Sequence, residues 1–553
     1  MRNLRRNSAS VLTGKDAKLH PSGSFGRRVF FRQAGAAILI TQAFPFLALT
    51  RGAVTADSIV ETTYGKIRGS ASDGVHTFKG VHYGGTTEGK NRFMPPVKPA
   101  AWVGVKDALD FGPVAPQTLA RTSSAESEDC LVLNIFTPSL KNGTKRPVMV
   151  WLHGGGFATG AASLPSYDGT NLALSNDVVV VTINHRLNVF GFTFLGQTAG
   201  SDFATSGAVG VLDIVAALEW VRDNISHFGG DPALVTIFGQ SGGGRKVSTL
   251  MAMPGAQGLF TRAIIESGAL LCLPTRDDGT ELTELLMTEL GLKRDQIREL
   301  QNVPVTRLLA ANAEVIKKIP SKIIGSMPNS PVVDGTAIPH NPWDPVAPSL
   351  SASVPLLVGW TRTEETGFDA PTPESRAMDE AGLRVRSEKR LGMDPTEVIA
   401  TYRKTHPSAT PWELYIFITT DHPRGIYPRE LAKRKVAQGA APAYVYRFDW
   451  ETPENGGHMH SPHSVEIRFV FNNIAAASPS IAKMPEAYTL AKKVSASWVA
   501  FARTGDPNIP DLPNWPEYSV KSRDTMLFNN SSMVEQDPDR ETRLVMEKVL
   551  KLT

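Results

Sequence analysis

The chain has 553 residues, 41% of them hydrophobic and 20% charged, which supplies material for a large core and excludes wholesale disorder or a collagen-like repeat. Its two cysteines, Cys130 and Cys272, exclude a disulfide scaffold and a cysteine-based zinc site. The net charge of +4 resides in the first 56 residues, which hold nine of the 58 Lys/Arg and one of the 54 Asp/Glu; the remainder carries −4, so nucleic acid is not an expected partner.

In chain order, the first predicted element is a leader. The stretch Gly26-Arg27-Arg28-Val29-Phe30-Phe31-Arg32 runs into a mostly apolar segment, Ala34 to Leu49, broken by Thr41, Gln42 and Pro45. This segment is shorter than the roughly 20 residues that span a bilayer, so no stable membrane insertion is expected. Val54-Thr55-Ala56 then offers a peptidase site. The pattern resembles a bacterial twin-arginine export signal, with Gly26 where Ser or Thr is usual and Arg32 where Lys is usual. It predicts that residues 1–56 are a removable signal and that 57–553 form a single exported domain, periplasmic or secreted. A chain that folds before export has little use for disulfides.

Beyond the leader there is no internal repeat, and short β-rich runs alternate with helical patterns. The first predicted strand, Val148 to Leu152, ends at His153-Gly154-Gly155-Gly156-Phe157. A glycine loop at a strand end can turn unhindered backbone N–H groups towards an oxyanion. A second strand is predicted over Val178 to Ile183 and a helix over Val211 to Asn224. Next comes the strand Val235 to Phe238, directly followed by Gly239-Gln240-Ser241-Gly242-Gly243. Glycines two before and two after a serine permit a cramped strand-to-helix turn that lifts the hydroxyl out of a sheet. Ser241 is therefore the candidate nucleophile.

Further strands are predicted at Ala263 to Ile265, Val354 to Val358 and Ala443 to Phe448, and a last helix at Ala487 to Ala502. This alternation defines the α/β class, with a mostly parallel central sheet flanked by helices. Ser241 needs a base and the base an acid, but with twelve histidines the spacing alone cannot choose them. His458, His460 and His463 lie close enough together to raise zinc as a competing reading. Gly456-Gly457 and Pro462 mark an irregular loop, however, and no carboxylate pattern completes a zinc motif. Neither metal nor cofactor is expected.

Longer motifs carry a resemblance. Glu128-Asp129-Cys130-Leu131-Val132-Leu133-Asn134, the glycine loop, Asn184-His185-Arg186-Leu187, Ala217-Leu218-Glu219-Trp220-Val221, Phe228-Gly229-Gly230-Asp231-Pro232 and the serine turn are collinear with the type B carboxylesterases. That family is the cholinesterase-like branch of the α/β-hydrolase fold, and the matches run from Ala71 to Tyr518. The resemblance implies a serine ester hydrolase acting on small-molecule carboxylic esters. It assigns the catalytic acid to Glu364, five residues after Gly359, with Glu365 the candidate if the alignment shifts by one. The base is His463, in His463-Ser464-Val465-Glu466. The implied oxyanion donors are the N–H groups of Gly155, Gly156 and Gly242. Some relatives are non-catalytic adhesion modules, the alternative reading, but these lose the nucleophile or its partners.

Four departures stand out. Ala115 replaces a cysteine that in the family often pairs with the one matching Cys130, so two buried free thiols are expected. Gln240 and Gly242 stand where relatives usually carry Glu and Ala. Arg245 and Lys246 follow where small residues are usual, and Arg245, four residues after Ser241 and near a helix N-terminus, is expected to meet an acidic partner or solvent. No tryptophan lies between Trp102 and Trp151, where cholinesterases hold the ammonium group, so a choline-ester preference is not expected. Acyl and alcohol preference and oligomeric state are not encoded in any motif.

Overall fold

The computed structural model describes residues 55–118, 122–140, 143, 145–319 and 329–552; the leader, up to residue 54, lies outside them. Among the described residues, thirteen strands form one sheet: β1 (Thr55–Thr62), β2 (Gly65–Ser72), β3 (Val75–His82), β4 (Val105–Asp107), β5 (Val132–Thr137), β6 (Arg146–Leu152), β7 (Val179–Ile183), β8 (Gly230–Gln240), β9 (Arg262–Glu266), β10 (Leu356–Thr361), β11 (Ala443–Phe448), β12 (Asp524–Phe528) and β13 (Met533–Gln536). Their order is β1-β2-β3-β5-β7-β6-β8-β9-β10-β11-β12-β13, with β4 beside β2. From β7 through β12 every pairing is parallel, whereas β1, β2, β3, β5 and β7 pair antiparallel, as do β12 and β13. The sheet is thus mixed, with the parallel part at its centre.

The reason lies in the side chains. Every residue of β6, β7, β10 and β11 is buried, as strands covered on both faces must be. Successive residues serve opposite faces: Val148, Val150 and Leu152 join the core under the helix Val209–Asn224, while Met149 and Trp151 join the core under the helix Pro485–Thr504. Trp151 packs edge-on to Phe238 and Phe471 with ring centroids 4.9 and 5.0 Å away. Emptying such a position costs about 3–5 kcal/mol.

Several sequence motifs turn out to brace this sheet. Arg186 grips Asp213 on the helix Val209–Asn224 through Nε and Nη2 at 2.8 and 2.6 Å, with both side chains buried. Arg92 holds Glu128 in the same bidentate way, at 2.8 and 2.5 Å. Asn134 Nδ2 donates to Thr182 Oγ1 across β5 and β7 at 3.0 Å. Removing one partner of such a buried pair is worth about 3–5 kcal/mol, because the other charge is left stranded.

Both cysteines are free, but only Cys130 is buried. Cys272, expected inside, is exposed: it lies in a connecting stretch between buried Leu271 and Leu273, and the alternation turns its side chain outward.

Candidate active site

The carboxyl ends of the parallel strands converge, as ligand-binding crevices in such sheets do. β8 ends at Gln240 and the helix Gly242–Leu250 starts two residues later, leaving Ser241 to make the whole turn. It does so at φ 58° and ψ −119°, a strained conformation for any residue but glycine. The flanking glycines permit the crossing. A Cβ on Gly239 would stand 2.6 Å from the Leu152 carbonyl oxygen, and one on Gly243 only 1.8 Å from it. The Ser241 N–H is spent on the Glu266 carbonyl at 2.8 Å, so the turn is held from below while the side chain faces a cavity of about 340 Å³.

The glycine loop after β6 forms the opposite wall. Gly155 and Gly156 have φ of 90° and 65°. Among the described residues the N–H groups of Gly155 and Gly156 donate to no protein acceptor. Gly242 opens its helix, where an N–H has no helical acceptor. The loop touches the serine turn so closely that a Cβ on Gly242 would fall 2.1 Å from the Gly156 carbonyl oxygen. An alanine here would require the Gly156 peptide to shift.

Two side chains anchor the loop. Gln117 exchanges hydrogen bonds with Gly160, receiving its N–H at 2.8 Å and donating to its carbonyl at 3.1 Å. Lys246, wholly buried in the helix after Ser241, donates from Nζ to the His153 carbonyl at 2.9 Å. Burial, with no acid opposing it, pulls this ammonium down to about 7. Burial and the Lys246 charge together hold His153 and His185, whose rings stack 5.0 Å apart, well below the usual imidazole range.

Glu364, Glu365 and His463 come together only in space. Glu364, fully buried after β10, accepts the Thr361 N–H at 2.9 Å through Oε1 and is hydrogen-bonded through Oε2 to His463 Nδ1. Burial opposes its charge, but the pairing with His463 and the nearby Arg424 outweigh burial and keep the carboxyl below the ordinary range. Glu365 faces elsewhere: it forms ion pairs with Arg424 and, at 3.4 Å, with Arg390. Two more carboxylates lie behind His463 in different states. Burial raises Glu266 to about 8 although Trp498 Nε1 donates to it at 2.7 Å, and burial plus the charges of Glu364 and Glu266 raises Glu466 well above the carboxylate range. Ser267 Oγ donates to Glu466 at 3.0 Å. Burial and mutual repulsion thus push these two carboxyls towards the neutral form, while the pairing with the imidazole favours the charged form of Glu364.

His463 and Ser241 line the same cavity without a hydrogen bond between them; the Gln240 amide nitrogen lies 3.3 Å from His463 Nε2. Phe368 packs on the imidazole at 4.8 Å between centroids. The neighbouring histidines point away. His458 Nε2 meets Arg376 at 2.6 Å, and His460 sits 3.6 Å from both Glu413 and Glu451.

The cavity also contains residues no motif announced. Arg424 reaches it over the Phe368 ring at 4.4 Å. Arg245, expected to meet an acidic partner or solvent, lines the wall half-buried, and among the described residues its guanidinium makes no hydrogen bond or ion pair.

A strained serine turn at the crevice of a parallel sheet, facing a glycine loop and a buried acid–imidazole pair, defines a hydrolase of the α/β-hydrolase fold. The sequence profile of the carboxylesterase family matches residues 56–544. The para-nitrobenzyl esterase of Bacillus subtilis (strain 168) is 36% identical, with 88% of this chain and 97% of that protein covered. The phenmedipham hydrolase of Pseudarthrobacter oxydans is 33% identical over 83% of this chain and 92% of its own. The crystal structure of carboxylesterase EST55 from Geobacillus stearothermophilus superposes with a TM-score of 0.78 at 38% identity, covering 88% and 99% of the two chains. The chain belongs to the carboxylesterase family and is a carboxylic ester hydrolase.

Proposed function

We propose that the enzyme cleaves small carboxylic esters through an acyl-enzyme formed on Ser241. His463 takes the serine proton as Ser241 Oγ attacks the carbonyl carbon, and Glu364 steadies the imidazolium. The N–H groups of Gly155, Gly156 and Gly242 receive the oxyanion. Collapse releases the alcohol with a proton from His463, and water then frees the acid by the same steps. The observation that carries this reading is the conjunction of the strained Ser241 turn with the buried Glu364–His463 pair on one cavity. The missing Ser241–His463 hydrogen bond is compatible with it, since catalytic hydrogen bonds are often long until substrate binds. Hydrolysis of p-nitrophenyl acetate by the wild type and by Ser241→Ala tests it. The variant is expected to lose at least about 1,000-fold in kcat, and turnover within tenfold of wild type would refute the assignment.

We further propose that residues 1–56 act as a twin-arginine export signal and that the domain works outside the cytoplasm, on the strength of Arg27-Arg28 and the apolar segment behind them.

A further inference from the structure

Among the described residues, the cavity walls carry two guanidinium groups, Arg245 and Arg424, and no Asp or Glu side chain. The two are not equivalent. Arg424 is matched by Glu365 and rests on Phe368. Arg245 has no anionic partner; its charged neighbour is Arg424, which repels it, and the nearby Tyr427 hydroxyl, raised above its ordinary value by burial, is neutral. Burial first, and then Arg424, draw it down to about 10, so it remains a cation at neutral pH. Among the described residues nothing acidic offsets it along the rest of that wall. The helix Gly242–Leu250 points its N-terminus at the cavity, and the residue before Ser241 is the neutral Gln240. A guanidinium left without a carboxylate on a cavity wall is a ready fork for a planar anion.

Its place on the same cavity as Ser241 limits the length of the ligand. Arg245 lies one turn after Ser241, and its N–H donates to the Ser241 carbonyl at 3.1 Å. Both side chains face the same cavity of about 340 Å³, so an anion on Arg245 shares that cavity with the carbon that Ser241 attacks, and a short acyl chain bridges the two.

We propose that the enzyme binds half-esters of short dicarboxylic acids, with Arg245 holding the free carboxylate of the acyl part while the ester carbonyl lies at Ser241. The proposal rests on the esterase reading above and adds the substrate class to it. The chemistry balances as ordinary hydrolysis: water and the half-ester give the dicarboxylate and an alcohol, and the recognition carboxylate is unchanged.

The test compares monoethyl adipate with ethyl hexanoate, two ethyl esters of equal acyl length differing in the terminal carboxylate, followed by chromatography of the released acid. In the wild type the ratio of kcat/KM for the anionic over the neutral ester is expected above about tenfold, and to shrink as salt screens the charge. That ratio is expected to drop by about tenfold or more in Arg245→Gln, to drop further in Arg245→Glu and to be retained in part by Arg245→Lys. A wild-type ratio at or below one, or a ratio equal across the variants, overturns the proposal while leaving the esterase reading intact. A second arm separates the two ideas without turnover: monoethyl adipate titrated calorimetrically into Ser241→Ala and into Ser241→Ala with Arg245→Gln. Weaker binding to the double variant supports the subsite whatever the outcome of the p-nitrophenyl acetate assay, whose failure would sink the esterase reading alone. Equal binding to both overturns the subsite.

Discussion

Glu364 and Glu365 are neighbours in the chain with different partners, one bonded to His463 and the other to Arg424 and Arg390. If Glu364 orients the imidazole, Glu364→Gln is expected to lower kcat by on the order of 1,000-fold. Glu365→Gln, which touches no reacting group, is expected to stay within about tenfold of wild type. The reverse ranking in a p-nitrophenyl ester assay would reassign the acid. Gly242 gives a second residue-level expectation. An alanine there must push the Gly156 peptide away, since its Cβ would start 2.1 Å from that carbonyl oxygen. Gly242→Ala is expected to lose at least about tenfold in kcat through a displaced oxyanion donor, with little change in KM. Unchanged kcat would mean the loop has slack that the packing does not indicate. Ser241 and the glycines were legible in the sequence because a cramped turn admits few residue types. Arg424 was not, because nothing in its local sequence marks its approach to a serine far away in the chain.

At the scale of elements, the helix Gly242–Leu250 is tied to the glycine loop by one buried ammonium, Lys246, on the His153 carbonyl. Its ordinary value of 10.5 falls to about 7 on folding. Between these values the unfolded chain holds a proton that the folded chain has shed, so this group adds stability as pH rises from about 7 to 10.5. Lys246→Met has no such term. Urea unfolding at pH 7 and at pH 9.5 is therefore expected to show wild type gaining on the variant at the higher pH; a constant difference would contradict it. His153 and His185, the charged-state neighbours, are already neutral in this range. The central strands were legible because β6 and β11 are buried throughout and β8 is buried from Val235 to Gln240, and these stretches are mostly apolar. The antiparallel flank β1 to β3 was not, since its exposed and half-exposed positions mix charged, hydroxyl and histidine side chains with glycine, and the apolar signal is diluted. Helices such as Arg276–Leu290 and Glu380–Leu391 lie outside any motif, and amphipathic segments of that kind carry no positional signal.

At the scale of the whole molecule, the basic residues 1–56 and the net −4 of the remainder are two different charge regimes in one chain. The proposed export signal predicts that changing Arg27 and Arg28 together to Lys retains the protein in the cytoplasm, read by fractionation. Export equal to wild type would contradict it. The fold and the site make a separate claim, that a single serine carries the acyl group while the rest of the cavity positions it. The most direct measurement is covalent labelling with a fluorophosphonate, followed by intact mass and peptide mapping. One adduct per chain is expected on the peptide containing Ser241, absent from Ser241→Ala and strongly slowed in His463→Ala. An adduct on any other residue, or full ester hydrolysis by protein that takes no label, would contradict it.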